Sequence, residues 1–363
     1  HYFDTIHQLS LIIMNIGLLL NSNGRLCVYS EKFRDILVQN NIEFQLIDPN
    51  SSLLLNNLKD CTHLIFRPSM GDTDKLIYDA IFYIAQNKYN IKCYPNFDTL
   101  WPHENKIKEY YLLKSHGFPI IDSYIFWTYD NARAFLHEAQ FPVVAKLPKG
   151  AGSSNVILIN SVKEGRKIIK HVFNRGVKSS GFRSRYNLTS ITNVGLFKYS
   201  KYIIKSVLIN SGMIKDKSDY PKWQIQKDAI LFQKYLPDNT SDTRVTVIGD
   251  KAFAFRRFVR KNDFRASGSG KFDLDPGKID TKCIKLAFTI SAKLNFDVMA
   301  YDFIYDKDKK PWINEISCGF IDWVVHSCPG YYDNNLKWHD GHFWPQQLQL
   351  QEFLGNNKLH YSQ

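Results

Sequence analysis

The chain has 363 residues, of which 44% are hydrophobic, 14% aromatic and 23% charged. This composition is typical of a folded globular protein and excludes wholesale disorder, and the length predicts two or three lobes. The 47 Lys and Arg residues exceed the 35 Asp and Glu residues by 12. The whole excess lies between Lys163 and Lys227, where there are fifteen basic and three acidic residues. A uniformly basic nucleic-acid-binding surface is therefore disfavoured.

The six cysteines lie far apart and form no C-x-x-C pair. This spacing fits neither a zinc site nor a small disulfide scaffold, and it suits a reducing cytoplasm. The apolar run from Leu9 to Leu20 is interrupted by Ser10, Asn15 and Gly17. It is too short to span a bilayer and lacks the features of a secretory signal. We therefore predict a buried first strand in a cytoplasmic protein without a membrane span.

Alternating strands and helices are predicted over residues 14–100. IGLLL and EFQLID predict strands on either side of the helix SEKFRDILVQNN, with Ser30 as its N-cap. THLIF and IKCYP predict two more strands, separated by a helix near DKLIYDAIFYIAQNK. Residues 1–100 are therefore expected to form a small parallel α/β domain. The absence of a G-x-G-x-x-G turn argues against a dinucleotide site there.

A second lobe is predicted over residues 101–236. It opens with a helix through NKIKEYYLLKSH that ends at Gly117. SYIFW, NARAFLHEA and FPVVAKLP then predict a strand, a helix and a strand, and the loop KGAGSS leads to the strand NVILI and the helix KEGRKIIKHVF. The basic stretch 174–227 has only weak periodicity, and we interpret it as an insertion before the strand AILFQKYL.

A third lobe is predicted over residues 237–363. RVTVIG and KAFAFRRFV alternate like antiparallel strands, and the helix TKCIKLAFTISAKL leads into the strands VMAYDFIYD and PWINEIS, joined by the turn KDKK. The aromatic tail from Gly319 is expected to be irregular, with a helix only near PQQLQLQEFL. Its large aromatic side chains are expected to pack between elements rather than to stack on ligands.

Two acidic residues lie on the last two predicted strands of this lobe. Asp302 and Glu315 can converge at one end of the sheet because a tight turn links their strands. Two hard oxygen anions suit Mg²⁺, which takes carboxylates together with nucleotide phosphates. On their own, the two residues favour the simpler interpretation of solvated or ion-paired carboxylates over a metal site.

A phosphate-binding loop is the second candidate feature. Lys146 ends a strand that runs into KGAGSS, where glycines allow backbone N–H groups to approach a phosphate closely. The loop is followed by a strand and not a helix, so it is not a Walker motif. Lys106, in the first turn of its helix, is a second candidate phosphate cation. Loop flexibility and solubility are the alternative explanations for these residues.

The order of these features along the chain resembles the ATP-grasp superfamily. After the two lysines come FQKYL, SDTRV, NDFRAS, AYDFIY and INEIS. The likeness covers about residues 90–330 and is greatest to the branch with glutathione synthetase and the ligase that adds glutamate to a ribosomal protein. It implies two α+β lobes clasping a nucleotide, preceded by the small α/β domain. DFRASGSG, CPGYYD and WHDGHFWPQ are also similar to uncharacterised bacterial ATP-grasp proteins, some encoded among surface-polysaccharide genes.

The resemblance implies that ATP and Mg²⁺ are bound and assigns residues to them. The implied nucleotide-contacting residues are Lys106, Lys146, Gly150, Ala151, Gly152, Ser153, Ser154, Lys234, Tyr235, Asp242 and Ser267. The implied metal ligands are Asp302, Glu315 and the residue at position 317. The branch usually has Asn there, and Ser317 is a poorer oxygen donor, which leaves the number of Mg²⁺ ions open. Lys234 stands where an acidic hinge residue is common, but backbone contacts to adenine would survive that change.

The resemblance implies a carboxylate–amine or carboxylate–thiol ligase that acts through an acyl phosphate. Such a reaction needs cations over the transferring group, and arginine grips phosphoryl oxygens with its planar fork. The candidates are Arg244, Arg257 and Arg265. Arg256 is expected to face the other way, because adjacent strand residues alternate. The alternatives are an ATP-grasp phosphotransferase and a non-catalytic nucleotide- or polyanion-binding module.

Two further features are interpreted with less specific chemistry. The basic insertion, which includes Arg183, Arg185, Lys198 and Lys201, would attract an anionic substrate or serve solubility. It lacks the aromatic spacing of a single-strand nucleic-acid binder. His339 and His342 are disfavoured as a metal pair, because zinc needs further ligands and only Asp340 is nearby in the sequence. A homodimer through the N-terminal sheet is a family-level expectation.

Overall fold

The structure is a computed structural model that describes residues 14–68, 71–150, 155–178, 225–260, 263–266 and 269–362. Within these ranges the chain forms three larger β-sheets flanked by helices and one two-stranded sheet. The first sheet is entirely parallel, and the others are antiparallel. This arrangement confirms the predicted fold class, a parallel α/β sheet followed by α+β lobes. In the described ranges no helix is both long and apolar enough to cross a membrane.

The N-terminal sheet has the strand order β2-β1-β3-β4. Its strands are β1 (Ile16–Leu19), β2 (Phe44–Ile47), β3 (His63–Ile65) and β4 (Lys92–Tyr94). Its helices are α1 (Val28–Gln39), α2 (Leu54–Lys59), α3 (Asp72–Lys88) and α4 (Phe97–Leu100). Every residue of β1 is buried, because helices cover both faces of a parallel sheet.

The start of α1 differs from the prediction. The helix begins at Val28 with Cys27 at the N-cap, so the assignment of Ser30 as the cap is wrong. Ser30 is buried in the first turn, with its Oγ 3.4 Å from the Sγ of Cys27. The earlier start brings Tyr29 onto the same buried face as Phe33, one turn later, and their rings pack edge to face. Packing of the apolar face outweighs the local capping preference.

The central lobe is built on a sheet with the order β5-β10-β6-β7. Its strands are β5 (Ser123–Phe126), β6 (Val143–Lys146), β7 (Val156–Ile159) and β10 (Ile230–Lys234). Between β7 and β10 in the chain, β8 (Val177–Lys178) and β9 (Ile225–Gln226) form the separate two-stranded sheet. Helices α6 (Tyr129–Glu138) and α7 (Val162–Asn174) share the core of this sheet, whereas α5 (Lys106–Ser115), which precedes them in the chain, buries Leu113 in the other core of the protein. A Cβ on Gly165 of α7 would lie 2.5 Å from Leu136 of α6, so glycine permits the close approach of these helices.

The C-terminal lobe has the strand order β15-β14-β11-β12-β16-β17, with β13 also paired to β12. The strands are β11 (Ser241–Ile248), β12 (Lys251–Phe258), β13 (Phe272–Asp273), β14 (Val298–Tyr305), β15 (Pro311–Ser317), β16 (Gly330–Asp333) and β17 (Trp338–Asp340). The helices are α8 (Thr281–Lys293), α9 (Asp322–Ser327), α10 (Pro345–Leu354) and a 3₁₀ turn at Pro276–Lys278.

The aromatic tail is more regular than predicted. The expected helix is present as α10, but α9 and the hairpin β16–β17 also occur, and the hairpin extends the large sheet. Cross-strand aromatic contacts explain the hairpin: the rings of Tyr332 and Trp338 lie 4.9 Å apart. Tyr331 and Phe343 pack against the main core, whereas Trp323 is 52% exposed.

The buried apolar residues form two separate cores. One core is shared by the N-terminal sheet and the C-terminal lobe, and the other belongs to the central sheet with α6 and α7. The interface between the two outer parts includes a hydrogen bond from Tyr29 Oη to Gln349 Oε1 (3.0 Å). The central lobe is therefore a distinct unit that faces the C-terminal sheet across a cleft.

The core of the central lobe predicts a strong effect of one aromatic residue. Phe232 is fully buried on the inner strand β10 and stacks on Phe135 of α6, with ring centroids 5.3 Å apart. We expect Phe232→Ala to lower the free energy of unfolding by about 3–5 kcal/mol, since it removes buried surface and leaves a cavity. Tyr111→Ala, at a position 49% exposed on α5, should change it by only about 0.5 kcal/mol. Urea denaturation measures both, and a loss no larger than that of the control would contradict this packing account.

Candidate functional site

A cavity lies between the central sheet and the C-terminal sheet. It is lined by β6, β7 and β10 on one side and by β11, β12, β14 and β15 on the other. Eight residues predicted from the sequence line it together, namely Lys146, Lys234, Tyr235, Asp242, Arg257, Arg265, Asp302 and Glu315. The structure therefore brings together residues that are up to 169 positions apart in the chain.

The register of the C-terminal sheet places charged residues side by side on one face. Asp242 of β11 is opposite Arg257 of β12, and Arg244 of β11 is opposite Asp302 of β14. Asp302 is in turn opposite Glu315 of β15. Directly paired residues of an antiparallel sheet share a face, so five charged side chains form one continuous patch.

Arg244 and Arg257 both bind Asp302. Arg244 makes a two-pronged pair, with Nε 2.6 Å from Oδ1 and a terminal nitrogen 2.8 Å from Oδ2. Arg257 bonds Oδ2 of Asp302 at 2.6 Å and also binds Asp242 through Nε at 2.8 Å. Burial alone would raise the pKa of Asp302, but the two guanidinium groups hold it below its usual range. Asp302 is therefore an anion at neutral pH.

Arg256 faces the opposite side of the sheet, as alternation along β12 requires. It pairs there with Asp273 of β13. Of the two adjacent arginines, Arg257 is the one that lines the cavity. Arg257 is buried, and the carboxylates of Asp242 and Asp302 raise its pKa despite that burial.

Lys146 ends β6 inside the cavity. Its Nζ donates to Oδ1 of Asn314 at 2.9 Å, and the residue is 4% exposed. Burial lowers the pKa of Lys146 to about 8, although Glu315 opposes the shift. Lys146 is therefore close to losing its proton at neutral pH, and an anion in the cavity would favour the protonated form.

Lys106 reaches the same site from the first turn of α5. Its Nζ lies 3.2 Å from Oε1 of Glu315 and 3.3 Å from the carbonyl oxygen of Gly150. Burial lowers the pKa of Lys106, but the nearby carboxylates of Glu315 and Glu109 outweigh it and leave the pKa raised. Lys106 is thus a permanent cation that connects Glu315 to the base of the glycine-rich loop.

The remaining cavity residues form its opposite end. Lys234 ends β10 and Tyr235 follows it, where the chain crosses to the C-terminal lobe, and the ring of Tyr235 packs edge to face on Phe264. Arg265 pairs with Asp263 and donates to the carbonyl oxygen of Val156 at 3.1 Å. Arg265 therefore connects the loop after β12 to β7 across the mouth of the cavity.

Several predicted residues are not placed at the cavity. The hydroxyl of Ser317 lies 3.0 Å from the backbone nitrogen and 3.2 Å from the oxygen of Gly319, and Ser317 is absent from the cavity lining. Ala151, Gly152, Ser153, Ser154 and Ser267 lie outside the described residues, as do the four basic positions Arg183, Arg185, Lys198 and Lys201.

The two tail histidines have other partners. His339 lies 2.8 Å from Oδ2 of Asp333 and stacks on Tyr331. The Nδ1 of His342 lies 3.0 Å from the carbonyl oxygen of His326. Over the described ranges, no group of three or more His, Cys, Asp or Glu side chains is arranged to hold a metal ion.

Asn314 is a cavity residue that the sequence analysis missed. Strand alternation predicts that Asn314 and Glu315 face opposite sides, but both line the cavity. The register shifts between Asp302 and Phe303, so that Asn314 is the extra residue of a β-bulge. A bulge leaves no reliable trace in the alternation of a short strand. Only the presence of Asn314 directly before Glu315 in the sequence could have suggested that both residues line the cavity.

The donor set at the cavity floor fits a magnesium ion that is also bound to phosphates. Glu315 and Asp302 supply carboxylate oxygens, and Asn314 supplies an amide oxygen beside them. Mg²⁺ prefers such hard oxygen ligands and keeps waters or phosphate oxygens in its other positions. Asp302 already accepts three hydrogen bonds from arginines, close to the four that a carboxylate can accept. The side chains of Glu315 and Asn314 each accept one hydrogen bond from a lysine, so they keep more acceptor positions for a metal ion than Asp302 does.

The paired charges predict that Asp302 also supports the fold. Asp302→Asn would leave Arg244 and Arg257 in a buried site with less negative charge, which we expect to lower the free energy of unfolding by about 3–5 kcal/mol. Asp273→Asn is the matched control, because its Arg256 partner lies on the outward face, and the expected loss there is about 1 kcal/mol or less. Chemical denaturation compares the two variants. Equal losses would show that the arginine frame does not depend on Asp302.

Comparisons with known proteins agree with this geometry. The family model of the RimK-like ATP-grasp domain matches residues 200–320. No curated protein matches the chain significantly. Among solved structures, a RimK domain ATP-grasp protein from Sphaerobacter thermophilus is 13% identical, with a TM-score of 0.50 over 86% of this chain and 95% of that one.

Two further solved structures extend the similarity over nearly the whole chain. The N5-carboxyaminoimidazole synthase from Aspergillus clavatus was solved with ADP and 5-aminoimidazole ribonucleotide. It is 11% identical, with a TM-score of 0.54 over 95% of this chain and 79% of that one. Biotin carboxylase from Campylobacter jejuni, solved as a complex with an ATP species, is 12% identical, with a TM-score of 0.52 over 93% and 70%. The chain therefore has the fold of the ATP-grasp proteins, and its residues 200–320 match the model of the RimK-like ATP-grasp domain.

Proposed function

We propose that the protein is an ATP- and Mg²⁺-dependent ligase that joins a carboxylate to an amine or a thiol through an acyl phosphate. The observation that carries the proposal is the cavity in which Lys146, Arg265, Asp302 and Glu315 meet between two lobes. Cations for phosphate and oxygen ligands for Mg²⁺ are combined there, as phosphoryl transfer requires. The RimK-like domain match supports the same class of enzyme.

The nucleotide would occupy the cavity with its base toward β10. The amide of Lys234 already donates to the carbonyl oxygen of Asp122 at 2.9 Å, so the backbone of Tyr235 would make the adenine contact at the crossing between the lobes. Val144 and Ile304 offer apolar walls. Lys146 would bind the phosphates. The glycine-rich loop begins at Gly150, whose carbonyl oxygen accepts a hydrogen bond from Lys106 at 3.3 Å.

Glu315 and Asn314 would hold Mg²⁺, with Asp302 completing the floor. When bound, Mg²⁺ would neutralise charge on the transferring phosphoryl group. The carboxylate oxygen of the first substrate would attack the γ-phosphorus, which would release ADP and leave an acyl phosphate. The amine or thiol of the second substrate would then attack the acyl carbon and expel phosphate, losing its own proton. Arg265 and Arg257 would stabilise the negative oxygens and exclude water from them.

The wider setting of the reaction is part of the proposal. All six cysteines are free thiols, which supports a cytoplasmic location. The resemblance supports a small carboxylate, an amine or thiol acceptor, and a role in surface-polysaccharide or peptide modification. The basic insertion supports an anionic substrate. An ATP-grasp phosphotransferase is the second candidate, because the same cavity could transfer phosphate to one substrate and stop there.

The two candidate reactions differ in how many substrates they need. Amino acids and sugar acids, tested singly and in pairs, should give ATP-dependent phosphate release only in pairs if the protein is a ligase. A phosphotransferase would consume ATP with one substrate and yield a phosphorylated product instead of free phosphate. Glu315→Gln is the control. We expect this variant to lower turnover at least about a hundredfold, because it loses several kcal/mol of transition-state stabilisation. Near-normal turnover in this variant at saturating Mg²⁺ would contradict the metal assignment.

The lowered pKa of Lys146 makes nucleotide binding depend on pH. Because burial lowers this pKa to about 8 in the free protein, a growing fraction of the lysine is neutral above that pH. We expect ADP affinity to fall between about pH 7 and about pH 9, and Lys146→Arg to remove this fall because arginine stays charged.

Lys149 is the matched control for this lysine. Lys149 pairs with Asp72 of α3 at 2.7 Å, so its ammonium group already has an ion-pair partner away from the cavity. Lys146→Met should weaken ADP binding at neutral pH at least about tenfold, whereas Lys149→Met should change it less. Isothermal titration calorimetry measures each affinity. Equal effects of the two methionine variants would mean that the phosphate site lies elsewhere.

A further inference from the structure

Among the described residues, no named strand lies along the outer edge of β15, where Ile313 forms only an isolated bridge with Ile120. β15 is the last strand of its sheet, so its outward-facing amides need other partners. The amide of Ile313 donates to the carbonyl oxygen of Pro119 at 2.8 Å. Beyond the bulge, the amide of Ile316 donates to Oε2 of Glu109 at 3.1 Å. A side chain of α5 therefore takes the place of a strand next to Glu315.

Glu109 is an unusual residue at this position. It is 2% exposed, and its Oε1 has no hydrogen-bond partner in the part of the chain that the structure describes. Burying a carboxyl group costs free energy. An apolar residue would fill the space without that cost, but it would leave the amide of Ile316 buried and unpaired.

Helix α5 contacts Glu315 and the residue that follows it. Ile316 directly follows Glu315, so the bond from its amide to Glu109 fixes the backbone beside that glutamate. Lys106, one helical turn before Glu109, bonds the carboxylate of Glu315 itself at 3.2 Å. The bulge at Asn314 lies on the other side of Glu315 and makes this part of β15 irregular, which increases its need for an external anchor.

We propose that Glu109 is a positioning residue that fixes β15 through the Ile316 amide, so that Glu315 presents its carboxylate to a bound Mg²⁺. The inference rests on the proposed function, because it requires a magnesium–nucleotide complex at Glu315. Loss of a partner that orients a metal ligand typically lowers metal affinity by about tenfold to a hundredfold. The effect of Glu109 should therefore be visible in the Mg²⁺ requirement of nucleotide binding.

Calorimetric titration of ADP over a series of Mg²⁺ concentrations tests the role. Glu109→Leu removes the acceptor, and we expect the Mg²⁺ concentration for half-maximal ADP binding to rise about tenfold. Glu109→Gln keeps an oxygen that can accept from Ile316, so its Mg²⁺ requirement should stay close to that of the wild type. If the leucine variant does not fold, Glu109→Ala replaces it with the same expectation, since a water at the amide would not anchor β15 to α5.

Leu113→Ala is the control for a general loss of stability. Leu113 is fully buried on the same helix, one turn beyond Glu109, and its truncation should lower the melting temperature without changing the Mg²⁺ requirement. A wild-type Mg²⁺ requirement in Glu109→Leu would overturn the proposal, as would a Glu109→Gln variant that is as impaired as Glu109→Leu. Absence of Mg²⁺-dependent ADP binding in the wild type would instead reject the proposed function.

Discussion

The buried charges on the C-terminal sheet constrain everything else at the site. Asp302 is held by Arg244 and Arg257, and Arg257 is held in turn by Asp242. Buried charges are tolerable only when they are paired with good geometry, and the register of β11, β12 and β14 supplies that pairing. The frame therefore fixes the floor of the cavity before any ligand is present. It also explains why some of the arginines that suit a phosphoryl group are already committed to neighbouring carboxylates.

The walls of the cavity belong to different cores. The floor is part of the core shared by the C-terminal lobe and the N-terminal sheet, and the roof, with Lys146, belongs to the core of the central lobe. Polar contacts cross the cleft, such as the bond from Lys146 to Asn314 and the bond from Arg265 to the carbonyl oxygen of Val156. Polar contacts can be exchanged for contacts with a bound phosphate at little cost. We expect the central lobe to close on the nucleotide as a unit.

Much of this architecture could be predicted from the sequence. Apolar segments such as IGLLL and VMAYDFIYD predicted the correct strands, and the resemblance carried by the order of Lys146, SDTRV, AYDFIY and INEIS along the chain implied the ATP-grasp fold. The failures have physical causes. Core packing moved the start of α1 from Ser30 to Val28, aromatic cross-strand contacts built the hairpin β16–β17, and a bulge turned Asn314 into the cavity. Each cause depends on contacts between distant residues, which local propensity does not contain.

A crystal structure with Mg²⁺ and a non-hydrolysable ATP analogue tests the central claim most directly. We predict the adenine at the crossing formed by Lys234 and Tyr235, the phosphates beside Lys146, and Mg²⁺ bound by Glu315. Asp302 should keep its arginine partners, because the frame precedes the ligand. A nucleotide bound outside this cavity, or a metal ion held without Glu315, would contradict the assignment of the site.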